Sequence, residues 1–560
     1  MQKKSTTLAI IVFLLGIFMG AIDSGIVSPA RTIIANSFSL TDSMSIWVIT
    51  IYTLAYAVSM PITGKLSDRY GRKKVYMISI SFFAIGSLMC GLSNFFGNYQ
   101  FLLFSRVIQA LGGGGIMPIA TAYIGSSFPL EKRGTALGLV GAVFGISTII
   151  GPSLGSFVLD IAGPSNWGYL FFINLPLSII ILGLSLTLKE NKKEGPLKKM
   201  DVPGSAMITI VILSLMYGLT NLKFHNLANS IQDVRVWLFL LIFIISLPIF
   251  IWVEKKAEDP VLNLNYFTDK QIALTLVISF VVGCGLMGTV FLPQFGENVL
   301  KIKSGEGGYL ITIFAVFTGI AAPLGGKIID KFGVKKVLAT GFSCTLVGTL
   351  YQALVTANNP TFINLFIGLV LMGFGMGFGM GFTMGTPVNY LMMSLVPPEE
   401  ISSGQSTVSL IRSIGVAISP NILVNFIADA GSKVPGTIQT VLPPVTGMPS
   451  DIFTSGASVS ANTLATFQNT DVTTIFYAVK DFIGNMLDTL KPMLSNIPNI
   501  NFDTLKTNYI SSLDASKPAI ETAYQTTMNT GFTNLFIGAA IIAAIGLIVT
   551  LFIKDQKKSA

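Results

Sequence analysis

The chain has 560 residues, of which 51% are hydrophobic and only 11% charged, with 36 Lys and Arg against 27 Asp and Glu. A soluble surface needs roughly twice that charged fraction, which excludes soluble enzymes, nucleic-acid binders and disordered scaffolds and leaves an all-α polytopic membrane protein. The three Cys lie in apolar runs and the single His, His225, stands alone. Neither a disulfide framework nor a metal site is implied, and no cofactor is expected. A bilayer core of ~30 Å takes about 20 apolar residues per helix. About 14 such runs can be read, the first near 8–28 and the last near 531–553. The first lacks a cleavage site and is read as a retained helix.

In the first run Asp23 lies about 15 residues in, past the midplane at ~1.5 Å per residue. A carboxylate at that depth must be paired, hydrated or protonated. It is read as a proton- or cation-binding group, with a structural ion pair as the alternative. After the second run comes Gly64-Lys65-Leu66-Ser67-Asp68-Arg69-Tyr70-Gly71-Arg72-Lys73-Lys74. Gly64 and Gly71 permit tight turns, and Asp68 can pair with a base such as Arg69 or Arg72, or sit at a helix N-terminus. So short and charged a loop suits a latch. Arg106 in the fourth run is also intramembrane, facing Asp23 or backbone carbonyls. In the fifth run Gly141, Gly145, Gly151, Pro152 and Gly155 allow close helix approach and a bend.

Farther along, Asn174, Asn389 and Gln294, the last just after Pro293, are polar candidates for a substrate cavity. A weaker copy of the charged loop, Gly325 to Lys336 with Asp330 at its centre, follows the tenth run. Two copies in two halves suit an internally repeated membrane protein. The alternating glycines of Met372 to Gly385 imitate a nucleotide-binding pattern but lie inside an apolar run, so they are read as a thin, close-packing helix. Arg412 is placed a turn or two from the end of its run, where snorkelling competes with a role in the cavity. Segment 429–529 is rich in Ser, Thr, Asn and Pro. In it Ile475, Phe476, Val479, Phe482, Ile483, Met486, Leu487 and Leu490 share a helical face, and Leu505, Tyr509, Ile510 and Leu513 form a weaker one. A small helical hairpin outside the membrane is expected, either a packed cap or a surface that shapes substrate or binds a partner. With the N-terminus inside, most Lys and Arg fall on the cytoplasmic side, which puts both termini in the cytoplasm and 429–529 outside. The basic surplus is thus a topology signal, not a nucleic-acid surface. Nothing resembles a phosphate-binding loop or a catalytic triad, so neither ATP hydrolysis nor enzymatic activity is expected.

The Gly64–Lys74 segment resembles the signature loop of the major facilitator superfamily, G-x-L-a-D-r-x-G-r-k-x, at every defining position. Arg106 to Gly112 (RVIQALG) resembles that family's R-x-x-Q-G-x-G, with Ala110 departing. The fifth-run glycines with Pro152 resemble its antiporter motif. Asp23 within AIDSGIV resembles the l-D-x-T-i-V motif of drug:proton antiporters, with Ser24 and Gly25 departing. Trp47-Val48-Ile49-Thr50, WGYLFFINLP from Trp167, and Gln405 to Gly415 resemble the fourteen-helix multidrug branch. The resemblance covers nearly every run but not 429–529.

It implies two six-helix bundles with two inserted helices. Residues 1–190 form the first bundle, 191–260 the inserted pair with its linkers, 261–428 five helices of the second bundle, 429–529 the outer hairpin and 530–560 the last helix and tail. It further implies a monomeric proton-coupled antiporter of the cell membrane, exporting amphiphilic or cationic compounds by alternating access. The implied partners are that substrate, protons and the lipid bilayer. Asp23 and Arg106 would couple, while Gly64, Asp68, Arg69, Gly71, Arg72 and Asp330 would latch. A lipid or glycolipid transporter of the same fold is an alternative, and a non-transporting receptor or adaptor using the outer hairpin is another.

Overall fold

The computed structural model describes residues 2–27, 30–40, 42–45, 47–188, 199–224, 227–287, 291–302, 308–380, 385–443, 472, 474–494 and 502–554. His225, residues 381–384 of the glycine-rich run and most of 444–474 lie outside these residues. All regular structure among the described residues is helical.

The first half comprises α1 (Gln2–Ile26), α2 (Trp47–Tyr70), α3 (Arg72–Phe96), α4 (Tyr99–Ser126), α5 (Arg133–Ala162) and α6 (Asn174–Leu186, after a turn at Tyr169–Phe172). The inserted pair is α7 (Val202–Asn221) and α8 (Val234–Lys256). The second half holds α9 (Lys270–Met287), α10 (Gly308–Phe332), α11 (Val334–Tyr351), α12 (Phe362–Gly375), α13 (Thr386–Leu395) and α14 (Ile401–Val441). It is completed, after α15 (Ile475–Leu494) and α16 (Phe502–Ala515), by α17 (Lys517–Leu551). Among the described residues twelve helices are long and apolar enough to cross a membrane, and two further apolar helices, in α9 and α12, are shorter. The expectation of about fourteen spans is thus roughly matched, with twelve helices of spanning length among the described residues.

Polar residues set several helix starts. Asn98 Oδ1 accepts from Phe101 N at 3.0 Å, and Asp201 Oδ1 from Gly204 N at 2.7 Å; each satisfies a backbone N–H that the helix leaves unpaired. Gly71 and Gly333 have φ of 98° and 90°, where a Cβ is strained. Each ends one helix and begins the next, α2 to α3 and α10 to α11.

The halves meet along two seams, α5 against α10 and α2 against α14. The inserted pair packs on α2 and α14 beside the second seam, through Ile208, Val211, Ile212 and Phe250 against Leu54, Val58 and Leu410. Helix α14 has 41 residues, about 60 Å at 1.5 Å per residue, twice the hydrocarbon thickness. It therefore runs far past the expected end of its span, and α17, with 35 residues, begins well before the expected start of its own. The region read as a hairpin is larger: α15 and α16 exist where the apolar spacing puts them, but they pack on extensions of α14 and α17. Ile475, Phe476, Val479 and Ile483 are buried together with Ile520, Tyr524, Met528, Val434 and Ile438.

Candidate functional site

Asp23 has no exposed surface. Its Oδ1 accepts from Gln109 Nε2 at 2.8 Å and Asn174 Nδ2 at 2.7 Å, and its Oδ2 lies 3.5 Å from Arg106 Nη1. Four helices converge there: α1, α3, α4 and α6. Gln109 is the relay. Its Oε1 accepts from Arg106 Nη1 at 2.6 Å, while its Nε2 also reaches Ser87 Oγ at 2.9 Å. Arg106 further donates through Nε to Val48 O at 3.3 Å, and its guanidinium lies 4.1 Å from the Tyr52 ring centroid. A buried charge pair is tolerable only when its remaining hydrogen-bonding capacity is met, and here each group has partners. The expected meeting of Asp23 and Arg106 takes place, inside the first half rather than between the halves. Asn174, expected as a cavity residue, belongs to this cluster. The sequence reading missed Gln109, Ser87 and Tyr52. Gln109 was legible, because three residues after Arg106 on a helix is the same face.

The residues expected to form a latch gather at one end. Asp68, at the end of α2, caps the start of α14: it accepts from Ser402 N at 3.0 Å, Ser403 N at 2.6 Å and Ser403 Oγ at 2.7 Å. Asp330, at the end of α10, does the same to α5, accepting from Gly134 N at 2.7 Å, Thr135 N at 2.8 Å and Thr135 Oγ1 at 2.6 Å. Each carboxylate thus bridges the halves onto the positive end of a helix dipole. Of the two readings of Asp68, capping a helix is the one found. Arg72 Nε donates to Ser402 Oγ at 3.1 Å and its Nη1 to Ser126 Oγ at 2.5 Å. Arg69 pairs with Asp259, just beyond α8, at 3.2 Å, and Lys65 binds the same carboxylate. Asp259 carried no sequence signal, since only the fold brings the inserted pair to the latch. Gly64 faces Ser406 of α14 with no room for a Cβ.

The antiporter-motif residues divide between two contacts of α5. Gly141 faces Ala322 and Thr386, and Gly145 faces Gly319, along the seam with α10. Gly151 and Pro152 touch α1 at Ile22 and Gly25, which flank Asp23. Gly155 is buried. One helix therefore connects the Asp23 segment to the seam.

The remaining candidates lie elsewhere. Gln294 is half-buried on a short helix, Leu292–Val299, that docks on α17. Asn389 is buried on α13, and its carbonyl accepts from Gln405 Nε2 at 2.9 Å. Arg412 is only 7% exposed. It lies ten residues, about 15 Å, along α14 from Ser402, and its burial speaks against snorkelling to an exposed surface. Two acids unforeseen as buried, Asp201 and Glu254, both face Gly204. Among the described residues no group of His, Cys, Asp and Glu could hold a metal ion.

Residues 13–420 match the family model described as Major Facilitator Superfamily, and the match ends before α15 and α16. The chain is 36% identical over 446 residues to the Uncharacterized MFS-type transporter YfiU of Bacillus subtilis, covering 79% of this chain and 83% of that protein. It is 29% identical over 464 residues to Multidrug resistance protein 3 of the same organism, covering 81% and 88%. In fold it is similar to the human organic anion transporter MFSD10, with a TM-score of 0.54 at 12% identity over 75% of this chain and 93% of the other.

Proposed function

The chain belongs to the Major Facilitator Superfamily, and on that footing we propose that it is a proton-coupled antiporter that exports amphiphilic compounds by alternating access. It is a multi-pass membrane transporter, not an enzyme. The reading rests above all on Asp23, a fully buried acid within a spanning helix, held by Arg106, Gln109 and Asn174. Such a group is a functional site by default. Protonating it removes the charge that balances Arg106, and the flanking residues Ile22 and Gly25 touch the helix that forms the seam. Proton loading is thereby coupled to how the halves meet. The two carboxylate caps break and reform as the halves rock. With the latch end on the cytoplasmic side, as the Lys and Arg distribution implies, the conformation described is closed toward the cytoplasm. The similarity to Multidrug resistance protein 3 supports drug-like amphiphiles as the substrates.

Asp23→Asn keeps the shape and mimics the protonated acid. In proteoliposomes with an imposed pH gradient, the variant should insert and bind substrate yet lose uphill export. Continued concentration of substrate against its gradient by Asp23→Asn would place the coupling site elsewhere.

A further inference from the structure

Arg412 and Arg106 are both arginines buried within spanning helices, but their surroundings differ. Arg106 has a carboxylate, an amide, a carbonyl and an aromatic face. Arg412 donates from Nη2 to Ser409 Oγ at 3.3 Å, while its Nη1 is buried without a hydrogen-bond partner. Among the described residues no carboxylate acts on its charge; its ionisable neighbour is Tyr56 of α2, from the other half. A buried cation with no counter-charge is unfavourable. Nη1 is directed at the start of α13. There Gly385 is the N-cap, with φ 49° and no side-chain cap, and a Cβ on it would come within 3.3 Å of Nη1. A helix N-terminus carries partial positive charge and unpaired N–H groups. A guanidinium with an unpartnered Nη1 and a helix start without a side-chain cap therefore converge beside the seam between the halves.

We propose that Arg412 and the N-terminus of α13 form an anion-receiving subsite that takes the carboxylate or sulfonate of an amphiphilic substrate. The inference rests on the transporter reading and names its substrate class. The anionic group pairs with Nη1 and the start of α13, while Tyr56 and Leu410 border the apolar remainder. Asp23 is enclosed by its donors within the first half, so the group that titrates and the group that binds substrate are separate.

Three fluorescent probes with one aromatic body test this on the purified full chain: dansylglycine, its neutral amide, and the cationic dansylethylenediamine. Dansylglycine should bind about tenfold more tightly than the amide. Arg412→Gln should abolish that preference while leaving amide affinity unchanged, and Arg412→Lys should retain part of it. Equal binding of the three probes to the wild type overturns the proposal whatever the variants do, as does a preference that survives in Arg412→Gln. Displacement of dansylglycine by inorganic phosphate at equal concentration overturns the assignment to an amphiphile. Gradient-driven export of dansylethylenediamine with no preference for dansylglycine sinks this inference and leaves the transporter reading standing. A preference for dansylglycine without gradient-driven export of any probe keeps the subsite and sinks the transporter reading.

Discussion

At the residue scale, Gln109 carries more of the Asp23 site than its neutrality suggests. It accepts from Arg106 and donates to both Asp23 and Ser87. Gln109→Leu keeps the volume but strips a partner from each of these groups, at about 1–3 kcal/mol for each buried group left unpaired. Asn174→Ala removes one donor from a carboxylate that still has two. Thermal unfolding in detergent should therefore fall further for Gln109→Leu than for Asn174→Ala; the reverse order would show that Gln109 is not the relay. The pairing of Arg106 and Gln109 was readable from their three-residue spacing. Their approach to Asn174 was not, because α4 and α6 are far apart in sequence and only packing sets their distance.

The element scale is where the two latches are decided. Asp68 and Asp330 each cap a helix of the opposite half, on serines in one case and on Gly134 and Thr135 in the other. The second cap needs the α5–α10 seam to be very close, and it is: a Cβ on Gly326 would stand 2.4 Å from Gly134 O. Gly326→Val cannot be accommodated unless those backbones part. That variant should insert normally but hold the latch end apart, so that a cysteine placed at Ser402 reacts with a maleimide at least tenfold faster than in the parent. Because both caps close the same two halves, Asp68→Asn and Asp330→Asn should not act independently. Their double variant should lose less transport than the product of the single losses, and strict multiplicativity would mean that the caps open separately. The motif around Asp68 was plain in the sequence, as was its weaker copy. That their carboxylates meet helix starts was left open, since a base or a helix start satisfies an acid at a short loop.

For the whole molecule, the extension of α14 and α17 beyond the membrane joins α15 and α16 to the second half as one continuous apolar core. The exposed ion pairs Lys480–Asp514, Lys491–Asp503 and Lys506–Asp488 hold α15 against α16, but each contributes at most about 1 kcal/mol. The apolar contacts of Ile475, Phe476, Val479 and Leu487 dominate. Replacing 443–516 by a short Gly/Ser linker should leave membrane insertion intact and lower the melting temperature by several degrees, with the exported compounds unchanged. A changed substrate profile at equal stability would instead assign this region to substrate selection. From sequence alone followed the membrane class, the approximate spans, the repeated charged motif, the acid within a span and both apolar faces of α15 and α16, because each is written in local hydropathy, helical period or a short motif. Tertiary structure alone decided that Asp23 is enclosed within one half, that Asp259 reaches Lys65 and Arg69, that Arg412 is buried with no partner for its Nη1, and that α15 and α16 pack on α14 and α17. Each of these depends on which helices pack against which, and that is settled by the summed fit of whole helix faces rather than by any local run of residues.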